Sequence, residues 1–117
     1  ISDLKKPKEE GEVRITFNDS SRDFKKEGTE VIEDLKKLAE KDESMILAPV
    51  NHEGVRINFK TGGRSWVLVR MSVHDPVMPI NFESDYLGGN KQNAKTLLNI
   101  LQRYSFLNTE NLKKFTL

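Results

Sequence analysis

The sequence contains no cysteine, which excludes disulfide bonds and thiolate ligands for a metal ion. It has no apolar run near the roughly 20 residues that a membrane-spanning helix needs. No signal-peptide pattern opens it. Only 8% of its residues are aromatic, with a single tryptophan, and there are two histidines. These absences predict a cytoplasmic protein with no membrane partner.

Excess charge of one sign is also lacking, because 19 Lys and Arg balance 18 Asp and Glu to a net charge of +1. That balance argues against a dedicated nucleic-acid binder. The charge is uneven, however, since residues 45–117 hold nine basic against five acidic side chains. The length of 117 residues suits one soluble domain. Because the first residue is Ile rather than Met, we expect a piece of a longer protein.

The pattern along the chain divides it into a linker and one folded domain. Residues 1–10 are charged and interrupted by proline, which predicts an interdomain linker or hinge, and residues 11–117 form the domain. Val13, Ile15 and Phe17 alternate with polar residues, as in a half-buried strand. Apolar residues at helical spacing then predict an amphipathic helix from about 23 to 41, capped by Ser21 or Asp23. Gly28 either delays the start of this helix or permits close packing.

The second half of the chain predicts a run of antiparallel strands followed by another helix. The fold class that follows is α+β, with a mainly antiparallel sheet of four to five strands whose one face packs on two helices. Residues 45–50 predict an edge strand or an irregular crossing, and residues 55–59 and 65–70 predict a hairpin around Gly62-Gly63. A further strand is predicted at 77–84, where Pro79 favours an edge or a bulge. A helix is predicted near 94–104, and Asn90 could cap it.

The turn between two of these strands, residues 70–76, has an unusual set of hydrogen-bond donors. Arg70 ends an apolar strand and offers a planar fork, Ser72 adds a hydroxyl, and His74 adds an imidazole. Backbone N–H groups in the turn are further donors. This combination suits an anion with several oxygens, and phosphate is the obvious candidate.

Other interpretations of these residues are weaker or less informative. Arg70 alone would ordinarily be a solvated strand end. A metal site is not expected, because His52 and His74 show no ligand spacing. A Ser72-His74-Asp75 triad fails because neighbouring side chains on an extended backbone point apart. Phe59, Trp66 and Phe82 are interpreted as core or sheet-face residues rather than base-stacking platforms, and both Gly-Gly pairs as structural turns.

The turn also resembles a known motif. Residues 70–76, Arg-Met-Ser-Val-His-Asp-Pro, look like the R-P-S-G-T-E-P phosphate-binding loop in the C-terminal domain of the α-D-phosphohexomutases, the phosphoglucomutase and phosphomannomutase enzymes. The flanking segments at 53–59, 66–70 and 80–84 are similar to the family's strands in the same order. Residues 2–4 and 11–13 resemble the linker and first strand. The resemblance therefore covers nearly the whole chain.

The resemblance implies a fold, a reaction and a distribution of the functional groups among the four domains of the enzyme. The chain would be the fourth domain of the enzyme, with a TATA-box-binding-protein-like fold. The enzyme moves a phosphoryl group between the 1- and 6-hydroxyls of a hexose through a bisphosphate intermediate. The phosphoserine and Mg²⁺ belong to other domains, so this domain would hold no cofactor, metal or catalytic residue and be inactive alone. Its partners would be the phosphosugar and the three preceding domains, with no nucleic acid.

Four residues carry the implied phosphate site: Arg70, Ser72, Val73 and His74. Val73 and His74 depart from the family's Gly and Thr, and Met71 replaces its first Pro. Val73 is β-branched and does not easily take a positive φ, so the turn should differ in detail. Two alternatives stay open, a non-catalytic module that binds nucleic acid or peptide on its sheet and a stand-alone phosphosugar sensor. Preference for glucose or mannose phosphates stays open too.

Overall fold

The computed structural model describes residues 8–18, 23–48, 54–60, 64–72 and 75–117. Within them the chain forms six strands and three helices. The order is β1 (Glu9–Phe17), α1 (Phe24–Lys41), β2 (Met45–Leu47), β3 (Gly54–Phe59), β4 (Ser65–Arg70), β5 (Val77–Ser84), α2 (Gly89–Leu101), β6 (Leu107–Asn108) and α3 (Glu110–Phe115). The predicted linker residues 1–7 and the hairpin glycines Gly62 and Gly63 lie outside the described residues.

The strands form one antiparallel sheet in the order β2-β3-β4-β5-β1-β6. The predicted α+β class is therefore confirmed. The predicted sheet of four to five strands on two helices is too small, because residues 107–115 of the described chain add β6 and α3. A strand of two residues and a helix of six are too short to show a period in the sequence.

Alternation along the strands gives the sheet one buried face and one open face. Val13 of β1 lies opposite Ile80 of β5, which lies opposite Val69 of β4, and all three are at most 5% exposed. The three helices pack on this core face: α1 on β2 and β3, α2 across β1, β4 and β5, and α3 on β1. The open face is the opposite surface, and it carries the side chains of residues 10, 12, 14, 56, 58, 66, 68, 70, 81 and 83.

The predicted first helix is confirmed almost to the residue. Asp23 is its N-cap, and the side chain of Asp23 accepts a hydrogen bond of 3.1 Å from the backbone N–H of Lys26. Gly28 lies inside the helix and is buried, so the helix does not start late. A Cβ at Gly28 would overlap Sδ of Met71. Of the two possibilities that the sequence leaves open, close packing is the correct one.

Two predicted boundaries change. β1 begins at Glu9, so Glu9 and Glu10 belong to the sheet rather than to the predicted linker, because both residues pair with the end of β5. The second helix is capped by Gly88, at φ +87°, and Asn90 lies buried inside it rather than at its cap. Glycine takes this left-handed conformation without the steric cost that a Cβ brings.

The strand that contains Pro79 is not an edge strand or a bulge. β5 lies between β4 and β1, with Pro79 opposite Arg14. The β4–β5 pairing ends beside it, at the pair of Val69 and Ile80. A residue without an N–H is tolerated where the ladder stops, and this explains why an interior strand accepts the proline.

None of the three helices in the described ranges combines the length and the apolarity that crossing a bilayer requires.

Candidate functional site

Arg70 is the last residue of β4, and its side chain lies on the open face. Alternation along β4 buries Ser65, Val67 and Val69, so the position of Arg70 follows from the same pattern that makes the core. Its Nη2 atom lies 3.4 Å from Oδ1 of Asn81 on β5. This is a long hydrogen bond, and it leaves most of the guanidinium donors exposed to solvent.

Gly54 provides the space that the stem of Arg70 occupies. The two residues face each other across the β3–β4 pair. A Cβ at position 54 would overlap the carbonyl oxygen of Val69 and come 3.1 Å from Cγ of Arg70. Glycine is therefore required here for close approach of a neighbouring strand, not for an unusual φ.

The turn after Arg70 is held by its own hydrogen bonds. The N–H of Ser72 donates to the carbonyl of Val77 at 3.0 Å, and the N–H of Val77 donates to the carbonyl of Asp75 at 2.7 Å. The Ser72 hydroxyl accepts a bond of 3.3 Å from the N–H of Asp75. A hydroxyl that accepts a hydrogen bond still carries its own O–H, so Ser72 remains a donor at this turn.

The start of the turn is anchored through Met71. Its side chain packs against the core and against Gly28 of α1. Arg70 and Met71 therefore project from opposite sides of the chain, one to the open face and one towards α1. Val73 and His74, two of the four residues of the implied phosphate site, lie outside the described residues.

A shallow cavity of about 430 Å³, wide open to solvent, lies on the open face, and Arg70 is outside its lining. It covers parts of β1, β5 and β4, and Asn81 belongs both to its wall and to the hydrogen bond with Arg70. Its floor includes Leu68 and Trp66. The guanidinium carbon of Arg56 lies 4.3 Å from the centroid of the Trp66 ring, a cation–π contact.

The far end of this cavity is acidic. Glu83 lies between Glu10 on β1 and Trp66 on β4. Desolvation raises the pKa of Glu83, and the neighbouring Glu10 raises it further, while Arg56 and the Trp66 side chain oppose the change. The cavity thus has a carboxylate end at Glu10 and Glu83, and Arg70 lies outside it, beyond Asn81.

Of the four predicted site residues, the structure describes Arg70 and Ser72, and it adds neighbours that the sequence did not indicate. Phe59 and Phe82 are core residues, as expected, and Trp66 is a sheet-face residue on the open face. Sequence reasoning did not find Gly54 or Asn81. The pairing register could have indicated both, because Gly54 lies opposite Arg70 and Asn81 is its diagonal neighbour across the β4–β5 pair.

Among the described residues, no three His, Asp or Glu side chains come together as a metal site would require. No protein-family model matches the chain, and no curated protein is significantly similar to it.

Proposed function

We propose that this chain is the substrate-phosphate-binding domain of an α-D-phosphohexomutase with a TATA-box-binding-protein-like fold. The observation that carries the proposal is the position of Arg70 and Ser72 on the β4–β5 turn. One side chain is an exposed guanidinium at a strand end, and the other is a hydroxyl in a closed turn two residues later. Donors of these two kinds on one short turn suit a phosphate group.

The proposed contribution of the domain is positioning rather than chemistry. Arg70 and Ser72 would hold the phosphate that does not react, so that the other end of the sugar faces the nucleophile of another domain. The phosphoserine and Mg²⁺ of that reaction would belong to the preceding three domains. The chain alone would therefore bind phosphate and phosphosugars without converting them.

Titration of the ¹⁵N-labelled chain with inorganic phosphate tests the proposal. We expect the amide signals of residues 70–75 to shift with a dissociation constant near millimolar, because a few charge-assisted hydrogen bonds contribute about 1.5–3 kcal/mol each, before the cost of association. Arg70→Ala should weaken this binding at least about tenfold. Signals that shift only elsewhere in the chain would contradict the assignment.

Arg64→Ala is the matched control for Arg70→Ala. Arg64 is another exposed arginine, and it precedes β4, at the opposite end of that strand from Arg70 and the turn. Its removal lowers the net charge equally, so it should leave phosphate binding nearly unchanged if the site is local. Equal weakening by the two substitutions would indicate general electrostatic attraction instead.

A second test concerns the coding sequence upstream of Ile1. The proposal requires a T-x-S-H-N/x-P-type phosphoserine loop and a D-x-D-x-D metal loop to be encoded there. A short reading frame without them would favour the stand-alone phosphosugar sensor.

The alternative of a nucleic-acid-binding sheet receives less support. The open face is the surface that such a module would use, but its arginines share that face with Glu10, Glu12 and Glu83, so the face is mixed in charge rather than basic. Carboxylates repel a phosphate backbone, whereas single-strand binders offer a basic groove.

A further inference from the structure

The cavity on the open face takes no part in the proposed phosphate contacts, yet one of its residues is hydrogen-bonded to Arg70. Asn81 lines the cavity, and its Oδ1 accepts the hydrogen bond from Nη2 of Arg70. A ligand whose phosphate contacts Arg70 therefore has the cavity directly beside it. What fills the cavity should be the part of the ligand that is attached to the phosphate.

The lining of the cavity has two kinds of surface. Leu68 and the indole of Trp66 offer an apolar patch, and both side chains are half-buried. Hydrogen-bonding groups surround it, with Asn81 opposite Leu68 and Glu12 opposite Asn81 on the next strand. A hexose ring has matching surfaces, because its C–H groups are apolar and its hydroxyls donate well to carboxylate and amide oxygens.

The charges of the cavity also define an orientation. Glu10 and Glu83 lie at one end, and Arg70 lies beyond Asn81 on the other side. Arg56 lies near Glu83 and offsets part of the negative charge there. A phosphate at the carboxylate end would be repelled, whereas an uncharged polyhydroxyl group would not. A ligand with its phosphate towards Arg70 and its hydroxyls towards the glutamates matches both ends.

We propose that this cavity is a sugar subsite, in which the hexose ring of a phosphosugar lies over Leu68 and the edge of Trp66 while Glu12 and Asn81 accept hydrogen bonds from its hydroxyls. The inference rests on the proposed function, since Arg70 must hold the phosphate. It extends that function by assigning sugar contacts to this domain, in addition to the phosphate contacts.

The indole N–H of Trp66 gives one unambiguous NMR signal, because Trp66 is the single tryptophan of the chain. The ¹⁵N-labelled chain is titrated separately with inorganic phosphate, glucose 6-phosphate and mannose 6-phosphate, and the indole N–H signal is followed beside the amides of residues 70–72. We expect both sugar phosphates to shift the indole and the turn, and phosphate to shift the turn alone. Sugar phosphates should bind about tenfold more tightly than phosphate.

Glu12→Ala should reduce the affinity for the sugar phosphates to that for phosphate. Thr16→Ala is the matched control, since Thr16 is on the same face of β1 but outside the cavity. Leu68→Ala gives a second, apolar test of the same subsite. All three variants should keep the amide spectrum of the folded chain.

The outcomes separate the two proposals. If the turn shifts with all three ligands while the indole does not move and the affinities are equal, the sugar subsite is overturned and the phosphate site stands. If none of the ligands shifts the turn, the proposed function fails, and the subsite fails with it.

Discussion

Glu9 accepts a hydrogen bond of 3.0 Å from the backbone N–H of Asn90, so the first residue of β1 caps the second helix. The other carboxylate oxygen accepts from the N–H of Gly88 at 2.9 Å. Gly88 has no side chain with which to cap α2 itself. The bonds from Gly88 and Asn90, in that order, lower the pKa of Glu9. A cap from another element therefore joins the beginning of the sheet to the helix layer.

Glu9→Gln should lower the free energy of unfolding by about 1 kcal/mol at pH 7, because the helix end loses a charged cap. The folded pKa of Glu9 is lowered, so its contribution is present above the unfolded pKa and is lost as the pH falls through the folded pKa. Urea denaturation at neutral and acid pH should show that the difference from the wild type shrinks in acid.

Glu10→Gln is the control for this experiment. Glu10 is the next residue of β1 but lies on the open face, where it raises the pKa of Glu83. Removing its charge relieves a repulsion, so no loss of stability is expected. A loss as large as that of Glu9→Gln would show that the cap is not the cause.

The contact between Gly28 and Met71 leads to a second prediction. Gly28→Ala should gain about 1 kcal/mol in helix propensity. However, the new Cβ overlaps Met71, and overpacking typically costs about 1–3 kcal/mol, so we expect a net loss of stability. In a Met71→Ala background the same substitution should be stabilising, because the overlap is gone. Denaturant unfolding of the four proteins checks this, and an unchanged sign in both backgrounds would contradict it.

Much of this fold could be predicted because its elements are periodic. The alternation of Val13, Ile15 and Phe17 identified β1, and the helical spacing from Phe24 to Ala39 identified α1. In both cases one face is buried, so the pattern records the core directly. The position of Arg70 on an exposed strand end follows from the same alternation.

What could not be predicted depends on contacts between distant elements. Glu9 looked like part of a charged linker because its partners, Gly88 and Asn90, come about 80 residues later. Pro79 suggested an edge strand because the sequence does not show where the β4–β5 ladder ends. The pairing register of β3, β4 and β5 puts Asn81 and Gly54 beside Arg70, and the sequence alone does not give that register.

Tyr104 gives a third prediction, from a hydrogen bond between α1 and the segment that follows α2. Its hydroxyl donates to Oδ2 of Asp34 at 2.5 Å. Burial and the Asp34 carboxylate raise the pKa of Tyr104, since both disfavour the phenolate. A raised pKa means that the contribution to stability is complete below the unfolded pKa and is lost as the pH rises through the folded one.

Tyr104→Phe should therefore lower the free energy of unfolding by about 0.5–1 kcal/mol at pH 7, because solvent screens this exposed hydrogen bond. The gap between this variant and the wild type should narrow above about pH 10, where unfolded tyrosine ionises. Thermal unfolding at neutral and alkaline pH measures the gap. Asp34→Asn is a useful comparison, because it keeps an acceptor while removing the charge, and it should cost less than Tyr104→Phe. A gap that is constant with pH would contradict the role of the Tyr104 hydroxyl.

Gly54→Ala connects stability to the candidate site. A Cβ at this position overlaps the carbonyl oxygen of Val69, which is backbone and cannot turn away, so we expect a loss of about 1–3 kcal/mol. The Cβ also presses on Cγ of Arg70 and should move the guanidinium away from Asn81. Phosphate binding should then weaken several-fold in protein that is still folded.

Asn93→Ala is the control for Gly54→Ala, because it should destabilise the fold without displacing Arg70. Asn93 is buried, and its Nδ2 donates a hydrogen bond of 2.9 Å to Oγ of Ser65 on the core face. Its loss should cost about 1–3 kcal/mol, as much as Gly54→Ala, because a buried polar group loses its partner. Phosphate titration of both variants below their unfolding transitions should show normal affinity for Asn93→Ala and reduced affinity for Gly54→Ala. Equal affinities would mean that the space beside Gly54 does not determine where Arg70 points.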